Sequence, residues 1–189
     1  MILLQAFCRR RAHVTGIDAE PRNIVAARQH ATKMRLHDKI TYEAISAEEL
    51  CQNNTEEFDV VVCSEVIEHV SDMNELTKSL VKLTRPGGVI IMTTINRTLT
   101  SLLGAVFAAE YILNIVPAGT HQWHKFVPPE ELSYLLRRHG ASVKLATGFE
   151  FSPFSFQWRN TKCMTMNYGI GAIKGHTDHN KNTDDSQKR

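Results

Sequence analysis

The sequence has few cysteines, little net charge and no glycine among its first fifteen residues. Neither a disulfide framework nor a zinc knuckle is expected, and a reducing compartment is favoured, because the four cysteines are scattered without a CxxC pair. The 22 basic and 20 acidic residues leave a net charge of +2, which gives no reason to expect nucleic acid as a partner. The apolar stretch at the start is short and lacks a small-residue cleavage site, so no secretory signal is expected.

What the sequence does contain is an alternation of strand and helix patterns in its first half. A length of 189 residues with 42% hydrophobic and 22% charged residues fits one soluble domain with short extras. Apolar runs predict strands, and apolar residues at helical spacing predict the intervening helices. The predicted strands are 13–18, 39–45, 58–63 and 89–95, and the predicted helices are 19–34 and 71–88. This alternation predicts an α/β fold with a doubly wound sheet, helices on both faces, and ligands at the carboxyl ends of the strands.

The second half is predicted to complete this domain, which we place at residues 1–174. A helix that begins at a proline and ends at a glycine is predicted at 128–141, and closing strands are predicted at 142–151 and 165–174. Residues 175–189 contain almost no apolar side chain and are expected to form a disordered tail.

Asp18 ends the first predicted strand, in "HVTGID". An acid at such a strand end accepts hydrogen bonds from the ribose hydroxyls of a nucleotide. The alternative is a helix N-cap before "AEPRN", because aspartate is common at that position. The sequence leaves both roles open.

The stretch "SEVIEHV", residues 64–70, directly follows the apolar run "FDVVVC". If a helix begins here, the spacing of Glu65, Glu68 and His69 places all three on one face. Two carboxylates and an imidazole are a plausible ligand set for a divalent cation, magnesium included. The alternative is a solvated helix start, where acids favour the helix dipole and His69 packs on the sheet.

An apolar segment, residues 98–119, follows the strand predicted at 89–95 and has Glu110 as its only charged residue. Its length admits a transmembrane span, but Glu110, Asn114 and Gly104 argue against one. A helix lying in a membrane interface, a lid over an apolar ligand and an ordinary buried helix are the remaining interpretations.

Three polar residues of "GTHQWHKFVPP", namely His121, His124 and Lys125, lie close together beside an aromatic residue. Each has the chemistry of a general base or of a group that orients a substrate. A histidine in a loop more often has no such role.

Taken together, these segments resemble a known family. In order and spacing, from about residue 13 to residue 174, they are similar to the O-methyltransferases of ubiquinone biosynthesis, which act on polyprenylated dihydroxybenzoates. The similar stretches are "VTGID", "FDVVVCSEVIEHV", "LTRPGGVIIMTTINRT", "VPAGTHQWHKFVPPEEL" and "NYGIGAIK". The most specific part is "INRT" followed by the apolar segment and "VPAGTH".

The resemblance implies the fold of a class I S-adenosylmethionine-dependent methyltransferase, which is Rossmann-like with a seven-stranded sheet and an antiparallel last strand. It implies S-adenosylmethionine as methyl donor, with Asp18 on the ribose and Ser64 lining the donor site. The acceptor is then a catechol-type hydroxyl, and the expected activity is its O-methylation. We expect Lys125 or His121 to remove the hydroxyl proton.

The resemblance also implies that Glu65, Glu68 and His69 bind Mg²⁺. A divalent cation that binds both oxygens of a catechol lowers the pKa of the hydroxyl and fixes its orientation. It further implies peripheral contact with a membrane through residues 98–116, because the substrate carries a long isoprenoid tail. In eukaryotes the family acts with other subunits of a ubiquinone biosynthetic complex, on the matrix side of the mitochondrial inner membrane.

One part of the family pattern is missing from the 189 residues. A strand and a glycine-rich turn, of the form "LDVGCGGG", are expected some twenty residues before "GID", where this sequence reads "MILLQAFCRRRA". The glycine turn lets the backbone approach the donor. We therefore expect an N-terminally truncated fold with weak or no methyl transfer, and the alternative function is a non-catalytic subunit of the same complex.

Overall fold

A computed structural model describes residues 12–102, 123–152 and 157–176, together with Leu4, Phe7, Cys8 and Arg10. The expected tail therefore lies almost wholly outside the described residues, as does most of the apolar segment. The chain divides into two compact units, Met1–Asn54 and Thr55–Arg189.

The first unit contains a parallel pair of strands, β1 (Val14–Ile17) and β2 (Ile40–Glu43). Helix α1 (Pro21–Lys33) connects them and begins at a proline, whose missing N–H costs nothing there. One face of α1 and the strands form an apolar core, which consists of Cys8, Ile24, Ala27, Ala31, Leu36, Ile40 and Tyr42. Helix α2 (Ala47–Asn53) begins with a capping box, in which the side chains of Ser46 and Glu49 accept hydrogen bonds from each other's backbone N–H groups.

The second unit contains a five-stranded sheet with the strand order β3-β4-β7-β5-β6. Its strands are β3 (Phe58–Ser64), β4 (Thr84–Ile95), β5 (Ala141–Ser152), β6 (Gln157–Thr161) and β7 (Asn167–Lys174). β3 and β4 are parallel, and β7 is antiparallel to β4, which confirms the expected antiparallel last strand.

Helices α3 (Met73–Leu83) and α5 (Pro129–Arg138) contact each other and cover one face of this sheet. The covered face carries the fully buried side chains of β4 and β7, among them Ile90, Met92, Tyr168, Ile170 and Ala172. A single helical turn, α4 (Leu99–Ser101), follows β4. Among the described residues, no helix is long and apolar enough to cross a membrane.

Two sequence-based expectations about the sheet are corrected. The expected single sheet is replaced by two sheets, one in each unit, because the described strands β1 and β2 pair only with each other. β6 was not predicted, because its residues are mostly exposed and lack an alternation of apolar and polar side chains. Its strand conformation is defined by hydrogen bonding to β5.

The helix predicted at 71–88 ends at Leu83, and β4 begins at Thr84 instead of residue 89. Thr84 pairs with Phe58 of β3, and a register shift follows directly. Gly88 is required in this irregular stretch because a Cβ there would lie 3.0 Å from the carbonyl oxygen of Asp59. The "PGG" stretch thus belongs to a bulge in the β3–β4 pair and does not end the helix.

Candidate functional site

The carboxyl ends of β3 and β4 lie side by side and carry a group of hydroxyl and carboxyl side chains. Ser64 pairs with Thr93 in the parallel register, and their hydroxyl oxygens are 2.9 Å apart. The Thr93 hydroxyl donates to Oε1 of Glu65 at 3.0 Å, so its single proton is used there and Ser64 must donate to Thr93. The oxygen of the exposed Ser64 hydroxyl keeps its acceptor capacity for a ligand.

Glu65 turns the chain sharply at the end of β3. Its φ of 53° is in the left-handed region, which few residues other than glycine adopt, and its N–H donates to the carbonyl of Thr93 at 2.9 Å. Strain of this kind is concentrated at functional sites. The helix that would place the three metal candidates on one face is not formed, because only a 3-10 turn, Ile67–His69, follows.

Glu68 lies in this turn and is only 4% exposed. Its Oε2 accepts a hydrogen bond from the hydroxyl of Thr94 at 2.7 Å, and Thr94 is fully buried. A buried carboxyl group without a partner is costly, so this bond is required for the burial of Glu68.

The carboxyl groups of Glu65 and Glu68 lie next to each other. Although Glu65 as a whole residue is exposed, the burial of its carboxyl group, the charge of Glu68 and a hydrogen bond shared with Glu68 raise the pKa of Glu65 to about 7. The hydroxyl of Thr93 acts in the opposite direction. Two carboxyl groups this close resist double ionisation, and a cation between them relieves the repulsion.

The donor chemistry of the acid pair fits a divalent cation, because Mg²⁺ prefers carboxylate oxygens. His69 is half-exposed, and its Nε2 lies 4.0 Å from Oε1 of Glu68. Two ligands of one Mg²⁺, each at about 2.1 Å, are separated by at most about 4.2 Å. Within the described ranges, however, no three His, Cys, Asp or Glu side chains are grouped as a metal site. The three-ligand Mg²⁺ site therefore stays a prediction.

Asp18 follows β1 in the first unit, as expected. Its Oδ1 accepts from the N–H of Glu20 at 2.9 Å, and its Oδ2 accepts from Nδ2 of Asn23 at 3.0 Å. The N-cap of α1 is Glu20 and not Asp18, so that alternative is wrong as stated. Each carboxylate oxygen has a further lone pair, which leaves capacity for a ribose hydroxyl. The ribose role stays a prediction.

Lys125 lies exposed in a 3-10 turn, Trp123–Lys125, and His121 lies outside the described residues. Two residues that follow β4 hold the turn. Nε1 of Trp123 donates to the carbonyl of Thr98 at 2.8 Å, and Nη1 of Arg97 donates to the carbonyl of His124 at 3.3 Å. The turn is therefore attached at the carboxyl end of β4, where the acid pair also lies.

Sequence reasoning missed Thr93, Thr94 and Arg97 as parts of this site. The signal was present in "MTTINRT", where two adjacent hydroxyl residues interrupt an apolar strand near its carboxyl end. Only the parallel register with Ser64 shows which acids those hydroxyls meet.

Comparison with known proteins identifies the family. A family model described as "Methyltransferase domain" matches residues 2–155. The ubiquinone biosynthesis O-methyltransferase of Acinetobacter baumannii (strain SDF) is 36% identical over 173 residues, which are 92% of this chain and 73% of that protein. The chain belongs to the ubiquinone biosynthesis O-methyltransferase family. This result confirms the resemblance found in the sequence.

Two mitochondrial members of the family are similarly related. The Arabidopsis thaliana protein is 40% identical over 167 residues, which are 88% of this chain and 52% of that protein. The Rattus norvegicus protein is 40% identical over 175 residues, which are 92% of this chain and 50% of that protein. The chain thus spans about half the length of these two relatives.

Solved structures confirm the fold class. A S-adenosylmethionine-dependent methyltransferase from Methanosarcina mazei matches with a TM-score of 0.60 at 16% identity, over 85% of this chain and 81% of that one. Magnesium protoporphyrin IX methyltransferase from Synechocystis matches with a TM-score of 0.58 at 16% identity, over 87% of this chain and 65% of that one. The chain therefore has the fold of a class I S-adenosylmethionine-dependent methyltransferase, with its α/β architecture and antiparallel last strand.

Proposed function

We propose that the chain methylates a hydroxyl of catechol-type polyprenylated benzoate or benzoquinol intermediates in ubiquinone biosynthesis, with S-adenosylmethionine as methyl donor. The observation that carries this proposal is the acid pair Glu65 and Glu68 beside Ser64, at the carboxyl ends of two parallel strands. Ligands bind at such strand ends in α/β folds. The names of the family members support the reaction class and the pathway.

Two residues are proposed to contact the methyl donor. Ser64 has a hydroxyl oxygen with free acceptor capacity, and Asp18 has further lone pairs on both carboxylate oxygens. Both side chains are already oriented by hydrogen bonds within their own units. Such preorganisation lowers the entropic cost of holding a ligand.

The transfer itself is a direct displacement. The bond between the methyl carbon and the donor sulfur breaks, a bond to the acceptor oxygen forms, and the hydroxyl proton goes to a base. We propose Lys125 or His121 as that base, since the described end of their segment is attached next to the acid pair. Glu65, Glu68 and His69 are proposed to hold Mg²⁺, which when bound lowers the pKa of the catechol hydroxyl.

The cellular setting is also proposed. Two family members are named as mitochondrial, which supports a mitochondrial location, and we place the protein peripherally on the matrix side of the inner membrane. Peripheral contact is assigned to residues 98–116, because an apolar segment suits a substrate with an isoprenoid tail. Other subunits of the ubiquinone biosynthetic complex are the proposed protein partners.

The test measures donor binding and methyl transfer separately on the 189-residue chain. Isothermal titration with S-adenosylmethionine reports binding, and methyl-labelled donor with a short-chain prenylated dihydroxybenzoate and Mg²⁺ reports transfer. The proposal requires labelled O-methyl product that disappears when Glu65, Glu68 and His69 are all replaced by alanine. The half-exposed Glu75 supplies the control variant Glu75→Ala, because its ion-pair partner Lys78 is on the same helix.

The outcomes separate the parts of the proposal. Transfer that persists under stringent chelation or in the triple variant eliminates the metal. Donor binding without methylation of the catechol eliminates the substrate class. If the chain binds no donor, the catalytic proposal fails and a non-catalytic subunit of the same complex is favoured.

A further inference from the structure

We propose that Thr93 and Thr94 are positioning residues that orient the carboxyl groups of Glu65 and Glu68 toward a divalent cation. The inference rests on the proposed function, from which it takes the cation. It adds the assignment of two residues that the strand-end pattern of the sequence did not single out.

The two hydroxyls reach the acid pair from opposite faces of one strand. Adjacent residues of a strand point to opposite faces of the sheet, so the two threonines of β4 cannot share one partner. Thr93 lies on the face of Ser64 and donates to Glu65 at 3.0 Å. Thr94 lies on the face covered by helices and donates to Glu68 at 2.7 Å. Each acid is therefore held by its own hydroxyl.

The bond from Thr94 also selects which oxygen of Glu68 remains available. It occupies Oε2, while Oε1 is the oxygen that lies 4.0 Å from Nε2 of His69. Rotation of the carboxyl group is prevented by burial and by this hydrogen bond. Thr94 thereby keeps one oxygen of Glu68 directed toward the imidazole, as two ligands of one cation require.

A second threonine of β4, equally buried, provides a control that distinguishes a positioning role from ordinary core packing. Thr84 is also fully buried on β4, and its hydroxyl donates to the backbone carbonyl of Leu80 at 2.8 Å. It contacts neither acid. If the Thr94 hydroxyl serves only to satisfy a buried polar group, loss of the Thr94 hydroxyl and loss of the Thr84 hydroxyl should have the same effect on cation binding.

The test compares T94V, T94S, T93V and the control T84V in the full chain. Binding of Mn²⁺ is titrated by electron paramagnetic resonance, with Mg²⁺ as competitor, and thermal unfolding is followed by circular dichroism. We expect T94V and T93V to weaken Mn²⁺ binding about 10- to 100-fold, the usual effect of losing a group that orients a metal ligand. T94S and T84V should bind within about threefold of the unchanged chain, because T94S keeps the donor and T84V lies elsewhere.

The outcomes are distinct from those that test the methyl transfer. The inference is overturned if T94V and T93V bind Mn²⁺ like the unchanged chain, or if T84V loses as much affinity as T94V. If T94V does not fold, T93V, at a half-buried and more tolerant position, decides the matter. An unchanged chain that binds no Mn²⁺ overturns the inference together with the metal part of the proposed function, whereas donor binding is judged by its own titration.

Discussion

Replacement of Tyr168 by phenylalanine removes one hydroxyl from the centre of the second unit. Tyr168 is fully buried in β7, and its hydroxyl donates to the carbonyl of Val127 at 2.8 Å. Val127 is also fully buried, and its N–H donates to the carbonyl of Ile95 at 3.1 Å. In the Tyr168→Phe variant the buried carbonyl loses this donor.

The expected cost follows from that loss. A buried polar group left without its partner costs about 1–3 kcal/mol, and a neutral pair belongs at the lower end, about 1–2 kcal/mol. For a chain of this length, that corresponds to a decrease in Tm of roughly 3–6 °C. Burial, and then the carboxylates of Glu130 and Glu68, raise the pKa of Tyr168 far above any working pH. The phenol therefore stays protonated, and the cost should be equal at pH 6 and pH 8.

The assay is guanidinium unfolding at both pH values, with Tyr134→Phe as the matched control. Tyr134 is 61% exposed on α5, so loss of its hydroxyl should change the free energy of unfolding by less than about 0.5 kcal/mol. The reasoning is refuted if Tyr168→Phe costs no more than Tyr134→Phe, or if its cost changes between the two pH values.

Three further changes have defined expected results. Ser46→Ala removes the capping box shared with Glu49 and should lower the free energy of unfolding by about 1 kcal/mol in urea, whereas Ser46→Asp should retain most of it. The exposed thiol of Cys163 has a lowered pKa, chiefly because the Thr165 hydroxyl donates a hydrogen bond to it. Iodoacetamide should therefore alkylate Cys163 before the buried cysteines, and Thr165→Val should slow the alkylation of Cys163. Equal alkylation rates for Cys163 in the variant and in the unchanged chain would contradict this. The raised pKa of Glu65, about 7 against an ordinary 4.5, means that the folded chain retains a proton which the unfolded chain releases. The contribution of Glu65 to stability therefore falls as the pH rises from 4.5 to 7. In metal-free buffer at pH 8, Glu65→Gln should be more stable than the unchanged chain by about 1 kcal/mol, a value that is reduced by solvent screening because the residue is exposed. A loss of stability of Glu65→Gln at pH 8 would contradict this expectation.

Local rules in the sequence predicted much of the secondary structure correctly. The helix predicted from residue 71 onward does begin close to that residue, and Asp72 caps it by accepting hydrogen bonds from the N–H groups of Asn74 and Glu75. The stripe Leu76, Leu80 and Leu83 is buried against the sheet. These features depend on neighbours three or four residues away, so the sequence contains the necessary information.

The geometry of the acid pair was not predicted correctly, because it depends on a different segment of the chain. Helical spacing placed Glu65, Glu68 and His69 on one face, but Glu65 has a left-handed φ and only a 3-10 turn follows. The N–H of Glu65 is bonded to Thr93, which lies 28 residues further along the chain. This contact exists only because β3 and β4 are parallel and in register.

The sequence by itself determined which chemical groups stand at the strand ends and which family the chain belongs to, since residue types and spacings are local properties. The tertiary structure decided how strands divide between sheets, where β4 begins, and which hydroxyl holds each acid. Those outcomes depend on strand pairing across many residues, and a pattern read along one segment carries no information about the register of its partner.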